Sequence, residues 1–342
     1  MIVVAGAGAI GASVAYHLAL LGVRDIVLCD RGEVAGGATS KAMGGVRQQF
    51  STAAEVRLAQ ESIVFFEQLG PPYFHQVGYL FVATTTAGLE RLEQRLALQR
   101  SLGVSVERAI VPDGVYGDDV AGAVACWSDG VADPPAVTRE LVRRASELGV
   151  RVEEGVDARS LDRDVLVVCC GPHSAELAPD LPVRPLCRQL LATAELPGLP
   201  VSLPMVVEAE TGFHFRRRGE RLVLAMPDRA PRWGFDTTVD RSVFADRLAR
   251  LARRFPPAAA ARVEEAWAGL YDMTPDAHPI LGRVGEGVYA ACGFSGHGFM
   301  QSPAAGKALA EQILDREPGI DLAPYRLERF AGTAAFPETL VL

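Results

Sequence analysis

MIVVAGAGAIGASVAYHLALLGVRDIVLCDRG, residues 1–32, decides the first half of the fold. The apolar run Ile2–Ala5 reads as a strand. It enters Gly6-Ala7-Gly8-Ala9-Ile10-Gly11 and then an Ala/Leu-rich helix that stops near Gly22. A second apolar strand, Asp25–Cys29, ends on Asp30, 19 residues after Gly11. A GxGxxG alone is a weak signal; the strand before it, the helix after it and the acid beyond supply its confirming context. Gly6 permits a sharp turn, Gly8 leaves room for a pyrophosphate, and Gly11 lets helix and sheet pack closely. The helix N-terminus offers N–H groups and a positive dipole end to phosphates. Asp30 accepts hydrogen bonds from a ribose diol, and its charge repels a 2′-phosphate. These residues predict an adenine dinucleotide site.

Working outward, the 342 residues are 49% hydrophobic and 22% charged, ordinary for a soluble globular enzyme of one large or two interleaved domains. The net charge of −8 gives no reason to expect nucleic acid or an anionic membrane surface. No apolar stretch reaches the length of a membrane span. The first strand starts at Ile2, so no signal peptide is expected and a cytoplasmic location is. The six cysteines (29, 126, 169, 170, 187 and 292) form no CxxC or Cys/His metal spacing, and no metal is expected. Cys169 and Cys170, being adjacent in a strand, should face opposite ways.

Beyond Asp30 the chain has five glycines in the 16 residues 32–47, a backbone that must approach something closely. Periodicity predicts a helix over Ala53–Leu69, a strand over Val77–Ala83 and a helix over Leu89–Leu102. A further helix runs from Pro134-Pro135 to about Leu148, followed by strands at Val150–Glu153 and Val165–Cys170. Apolar runs at Gln189–Ala194, Gly212–Arg216 and Arg221–Ala225 suggest antiparallel structure, with Arg217-Arg218-Gly219-Glu220 as a hairpin turn and the Arg run 216–218 solvated. A helix over Arg241–Phe255 follows. Gly287–Cys292 reads as a strand, 293–300 as a second glycine loop, and Pro303 as the opening of a helix to about Asp315. The pattern predicts a dinucleotide domain assembled from three separated segments, with a mainly antiparallel substrate domain inserted between them.

DMTPDAHPILG (272–282), followed by ACGFSGHGFMQSPAAG (291–306), closely resembles the C-terminal region of the D-amino-acid-oxidase-like flavoproteins. Within that superfamily it looks nearest to the sarcosine oxidase, glycine oxidase and proline dehydrogenase β-subunit group. GGATSKAMGGVRQQF (36–50), DGVADPPAVTREL (129–141) and VVCCGPHSAEL (167–177) resemble further blocks of that group, so the likeness covers most of the chain. It implies a mixed α/β fold, a Rossmann-like FAD-binding domain (1–75, 136–182 and 272–332) with an inserted substrate domain (76–135 and 183–271). The dinucleotide is then FAD and not NAD. The activity implied is oxidation of the C–N bond of a small amino acid or secondary amine of the sarcosine, glycine or proline type, by hydride transfer to flavin N5.

The resemblance also implies roles. Gly6, Gly8, Ala9, Ile10, Gly11 and Asp30 hold the ADP half, with Arg31 after the acid. Ser40 and Gly44, Gly45, Val46 and Arg47 line the pyrophosphate and flavin. Val156 meets the adenine side and Gly171 the flavin side. Gly293 and Gly296, His297, Gly298, Phe299 and Met300 aim N–H groups at the flavin N1/C2 edge from just before a helix. Some sarcosine oxidases tether FAD through a Cys two residues before the Tyr matching Tyr271; Gly269 stands there, so the flavin should be non-covalent. Monomeric sarcosine oxidases carry a Lys after GHGF; Met300 stands there, which favours a dehydrogenase with another, unidentified electron acceptor.

The candidate catalytic residues are Arg47, Tyr271, His297 and Met300. Arg47 is the first candidate for a substrate carboxylate, because Arg offers a bidentate fork; the alternative is a structural arginine bonding loop carbonyls or flavin. Tyr271 matches a substrate-site Tyr, and His297 acts on proton balance or shapes its loop. His214 and Phe215 are candidates for a roof over the flavin. His17 is expected to be a plain helix residue. Competing readings are a flavin-binding subunit or assembly partner with little activity alone, oxidation of a 2-hydroxy acid, and a nicotinamide enzyme.

Overall fold

A computed structural model describes residues 1–332, 337–339 and 341–342. Its first sheet has six strands in the order Ile280–Gly285, Val288–Cys292, Val165–Val168, Ile2–Ala5, Ile26–Asp30, Arg151–Glu154. All neighbours are parallel except the antiparallel pair at the C-terminal edge. Val3, Val4, Val167 and Val168 are fully buried, which is why these strands read as unbroken apolar runs: a parallel sheet is covered on both faces. The helix Ala9–Leu20 packs between Gly298–Ile313 and Pro134–Glu147. Gly306 makes the first crossing possible, since a Cβ there would lie 2.2 Å from Ser13 Oγ.

The second sheet has eight strands, in the order Val263–Met273, Arg184–Thr193, Arg221–Ala225, His214–Arg218, Met205–Glu208, Tyr79–Ala83, Gly122–Cys126, Val106–Arg108. Its pairings are antiparallel apart from Met205–Glu208 with Tyr79–Ala83. One face carries Phe213, Phe215 and Leu224 into its own apolar core; the other, with His214 and Tyr271, turns toward the first unit. A small third sheet, Gly45–Val46, Gly130–Ala132 and Phe74–His75, ties the glycine-rich loop to the strands around it.

Several expectations move. The last helix does not open at Pro303 but at Gly298, with Pro303 inside it. Proline cannot donate to the carbonyl of Phe299; the hydroxyl of Ser302 does so instead, at 2.9 Å. The helix expected from Leu89 begins at Thr86, because the Thr85 side chain caps it by accepting from Gly88 N. The strand expected from Val77 begins at Tyr79, after Gly78 at φ +87°. The helix expected over Arg241–Phe255 is a 3₁₀ turn, Arg241–Val243, leading into Phe244–Arg254. The Arg run is not wholly solvated: Arg216 lies on the strand and is 6% exposed, and only the hairpin end, Gly219-Glu220, is turn. Cys169 packs into the main core and Cys170 against the cluster on the other face of the sheet.

Candidate active site

The first glycine turn is held by contacts a side chain would break. Gly6 has φ +103°, and a Cβ there would sit 2.3 Å from the Cys169 carbonyl oxygen. At Gly11 a Cβ would lie 1.8 Å from the Gly6 oxygen. At Gly8 the nearest atom is Thr39 Oγ1 at 3.1 Å, and the rest of that position opens into a cavity. Thr39 also accepts from Ala9 N at 3.1 Å, helping to satisfy the first turn of the helix. Asp30 accepts from Ala7 N and Gly32 N, each at 2.8 Å, one to each carboxylate oxygen. Both oxygens keep a further lone pair for a diol.

From this cradle a cavity of about 700 Å³ runs to Tyr271. Its walls include Gly6, Gly8, Ala9, Ile10, Asp30, Arg31, Val156, Gly171, Tyr271, Gly296, Gly298 and Phe299. Arg31 pairs with Glu176 at 2.8 Å across the rim. Val156 is placed by its N–H on the Asp30 carbonyl at 2.8 Å. Gly11, Ser40, Gly44, Gly45, Val46, Arg47, Gly293, His297 and Met300 are not on its walls. Ser40 turns back to the carbonyls of Gly36 and Gly37, and Thr39 takes the inward position.

The segment Gly44–Phe50 is buried beneath the eight-stranded sheet. Gly44 has φ +80°, and a Cβ would meet the Ala132 oxygen at 2.4 Å. Arg216 clamps this turn: its Nε donates to the Met43 carbonyl at 2.6 Å and its Nη2 to that of Ala132 at 3.3 Å. Burial lowers the Arg216 pKa to about 10. Arg47 is 1% exposed. Its guanidinium donates to the Gln49 carbonyl, approaches His297 Nε2 at 3.4 Å and lies 4.0 Å above the Phe50 ring. Asp129 anchors the same segment by accepting from Gln48 N, Gln48 Nε2 and Gln49 Nε2 at 3.0–3.1 Å. Burial pushes its carboxyl up to about 6.

At the far end, Asp272 organises the second glycine loop. Its carboxylate accepts from Gly293 N at 2.7 Å, and its carbonyl from Ser295 N at 3.1 Å. Burial pushes this acid, too, up to about 6. Gly296 must be glycine because Tyr271 lies on it: a Cβ would be 2.3 Å from the ring. His297 is the N-cap residue of the helix Gly298–Ile313, packed edge-on to Phe50 with centroids 5.0 Å apart. Met300 lies in the main apolar core. His214 holds the Gly212 carbonyl at 2.7 Å, and burial lowers its pKa to about 4, so it is neutral at pH 7. His17 bonds the Ser13 carbonyl within its own helix.

Thr39, Asp129, Arg188, Arg216 and Asp272 were not singled out from sequence. The alternation of Phe213 and Phe215 with His214 and Arg216 carried a signal for one of them, since it puts Arg216 on the face away from the aromatic core.

The sequence profile of the family described as FAD dependent oxidoreductase matches residues 1–312. The chain belongs to the FAD-dependent oxidoreductase family. The residues present fit the cofactor: an open Gly8, a diol acceptor at Asp30 and two helix N-termini on the wall of one cavity. The oxidoreductase is 27% identical to 4-methylaminobutanoate oxidase (formaldehyde-forming) of Paenarthrobacter nicotinovorans over 96% of this chain, but spans only 45% of that relative. It is 25% identical to sarcosine oxidase subunit beta of Arthrobacter sp over 96% of this chain and 90% of the relative. Its fold matches L-proline dehydrogenase from P. horikoshii with TM-score 0.89 and 23% identity, covering 96% of this chain and 97% of the other. The dinucleotide is therefore FAD, and the mixed α/β expectation holds. No described helix is long and apolar enough to cross a membrane.

Proposed function

We propose that this flavoenzyme oxidises the C–N bond of a small amino acid or secondary amine of the sarcosine, glycine or proline type. It holds FAD non-covalently and works as a cytoplasmic dehydrogenase. The observation that carries the reading is the single cavity from Asp30 to Tyr271, in a chain of this family. Bound FAD supplies the acceptor for a hydride equivalent at flavin N5. The chain's own contribution is placement. Gly6, Gly8 and Asp30 hold the ADP half, and residues 1–75, 136–182 and 272–332 form the unit that carries it. The first-turn N–H groups of Gly298–Met300 stabilise negative charge at the cavity's far end. Tyr271 and the sheet of the unit formed by 76–135 and 183–271 cover the reacting centre and exclude water. Anaerobic mixing of the yellow protein with a panel of amino acids and amines tests this; bleaching by one member supports it, and no bleaching by any counts against it.

A second reading, a flavin-binding subunit of a multi-subunit amine dehydrogenase, draws on the 25% identity to sarcosine oxidase subunit beta. A stoichiometric partner on co-purification at native abundance would favour it, and a lone active chain would remove it.

A further inference from the structure

We propose that the tip of the loop 226–240 latches the rim of the FAD cavity and slows the release of the cofactor. The latch is one contact, the ring of Phe235 on the imidazole of His173. It concerns retention of FAD and not its reduction, so it does not rest on the amine-oxidation reading.

The loop joins the strand Arg221–Ala225 to the turn Arg241–Val243 and has no helix or strand of its own. Connections longer than about 12 residues without such structure are uncommon in compact folds and usually serve a function. Its base is pinned to the unit built on the eight-stranded sheet. Asp228 pairs with Arg247 at 3.3 Å, Cys187 N donates to the Arg232 carbonyl, and Gly234 N donates to that of Pro185, the last two at 2.9 Å. Trp233 bridges to Leu186, and the Arg184 guanidinium carbon lies 4.5 Å from the centre of its ring.

Beyond this base the tip reaches the other unit. Phe235 stacks on His173 with centroids 4.7 Å apart and planes 24° from parallel. His173 belongs to the turn Gly171–Glu176, which follows the strand Val165–Val168 of the first sheet. Its Nδ1 lies 2.6 Å from a carboxylate oxygen of Glu176, and Glu176 holds Arg31, the residue after Asp30, at 2.8 Å. Arg31, His173, Glu176 and Thr237 all line the cavity. Yet the side chains of the first three are 40–50% exposed, and Thr237 is exposed as well. Wall residues that also face solvent mark a mouth, so the stack closes across a rim of the cavity.

The contact suits a part that has to open. Among the described residues the stack is not backed by a hydrogen bond or ion pair between 235–237 and 171–177. Phe235 is 52% exposed, so the rings separate without opening a core. An aromatic pair of this kind shifts an equilibrium by about twofold to tenfold.

The test dilutes FAD-loaded protein and follows release by the rise of flavin fluorescence, with melting of the apoprotein measured alongside. Phe235→Ala should speed release about fivefold and leave apoprotein melting unchanged. His173→Ala should also speed release, and Phe235→Ala should add nothing once His173 is alanine. Phe235→Tyr keeps the ring and should release FAD at the wild-type rate. Release from Phe235→Ala within about 1.5-fold of wild type would overturn the proposal. So would effects of the two alanines that multiply in the double variant, or a Phe235→Tyr that releases FAD as fast as Phe235→Ala. Faster release from a Phe235→Ala apoprotein that melts lower than wild type would assign the ring to folding and overturn it too.

Discussion

The Nε of Arg216 donates to the carbonyl of Met43 at 2.6 Å, so a strand of the second sheet grips the glycine loop of the first unit. The same side chain reaches Ala132 O, and a Cβ on Gly44 would lie 3.0 Å from its Nη2. Arg216→Met removes both donors and leaves two buried carbonyls short of a partner. It should lower stability by about 2–4 kcal/mol and weaken FAD retention. Denaturant unfolding and FAD dissociation measured together check this; wild-type values in both would show that the clamp is dispensable.

The first turn separates folding from cofactor binding. Gly11→Ala drives a Cβ into the Gly6 carbonyl at 1.8 Å, where only backbone can give way. This variant should be expressed poorly or fail to fold. Gly8→Ala meets only Thr39 Oγ1 at 3.1 Å and otherwise fills the space a pyrophosphate needs. Its apoprotein should melt close to wild type while FAD affinity falls at least about tenfold, roughly 1.4 kcal/mol. Equal FAD affinity in Gly8→Ala and wild type would contradict the placement of the phosphates.

Asp129 carries a pH signature. Burial raises its folded-state pKa to about 6 from an ordinary 3.8, so its proton is held more tightly when folded. The contribution is favourable at low pH and is lost as pH rises through about 6. His214 and His17, lowered to about 4, act in the opposite sense over the same range. The wild-type profile alone is therefore a poor readout. Differencing against Asp129→Asn isolates the acid: the variant's stability relative to wild type should drop by roughly 2–3 kcal/mol between about pH 7 and about pH 4. A difference independent of pH would mean that the carboxyl is not held as described.

Position 300 bears on the electron acceptor. Met300 is buried in the core and brings no cation to the start of the helix Gly298–Ile313. Reduced enzyme should reoxidise slowly in oxygen and much faster with an artificial acceptor, measured by stopped-flow recovery of flavin colour. Rapid recovery in oxygen alone would reverse the dehydrogenase assignment.

The parts of this architecture legible in the sequence are those encoded locally. The strand, glycine turn and helix of residues 2–20 announce themselves by period and by glycine. Asp30 follows from its place at the end of the next strand. The pairings of Gly45–Val46 with Gly130–Ala132 are too short to leave a periodic trace. The surroundings of Arg47 are set by His297, 250 positions away, and by the fold of Phe50 beneath it. Arg216 was hidden because a run of three arginines before a turn resembles solvated surface, although only Arg218 is exposed. Pro303 misplaced a helix start because the side chain that replaces its missing hydrogen bond is its own neighbour, Ser302.

The most direct test of the central claim is anaerobic reduction of the FAD-loaded protein. Small amino acids, their N-methyl derivatives, proline and matched 2-hydroxy acids are added one at a time, and flavin absorbance is followed to completion. The account predicts full bleaching by at least one amino acid, with stoichiometric release of the carbonyl product formed when its imine hydrolyses. A flavin that stays oxidised with every amine, or that bleaches only with a hydroxy acid, would contradict it.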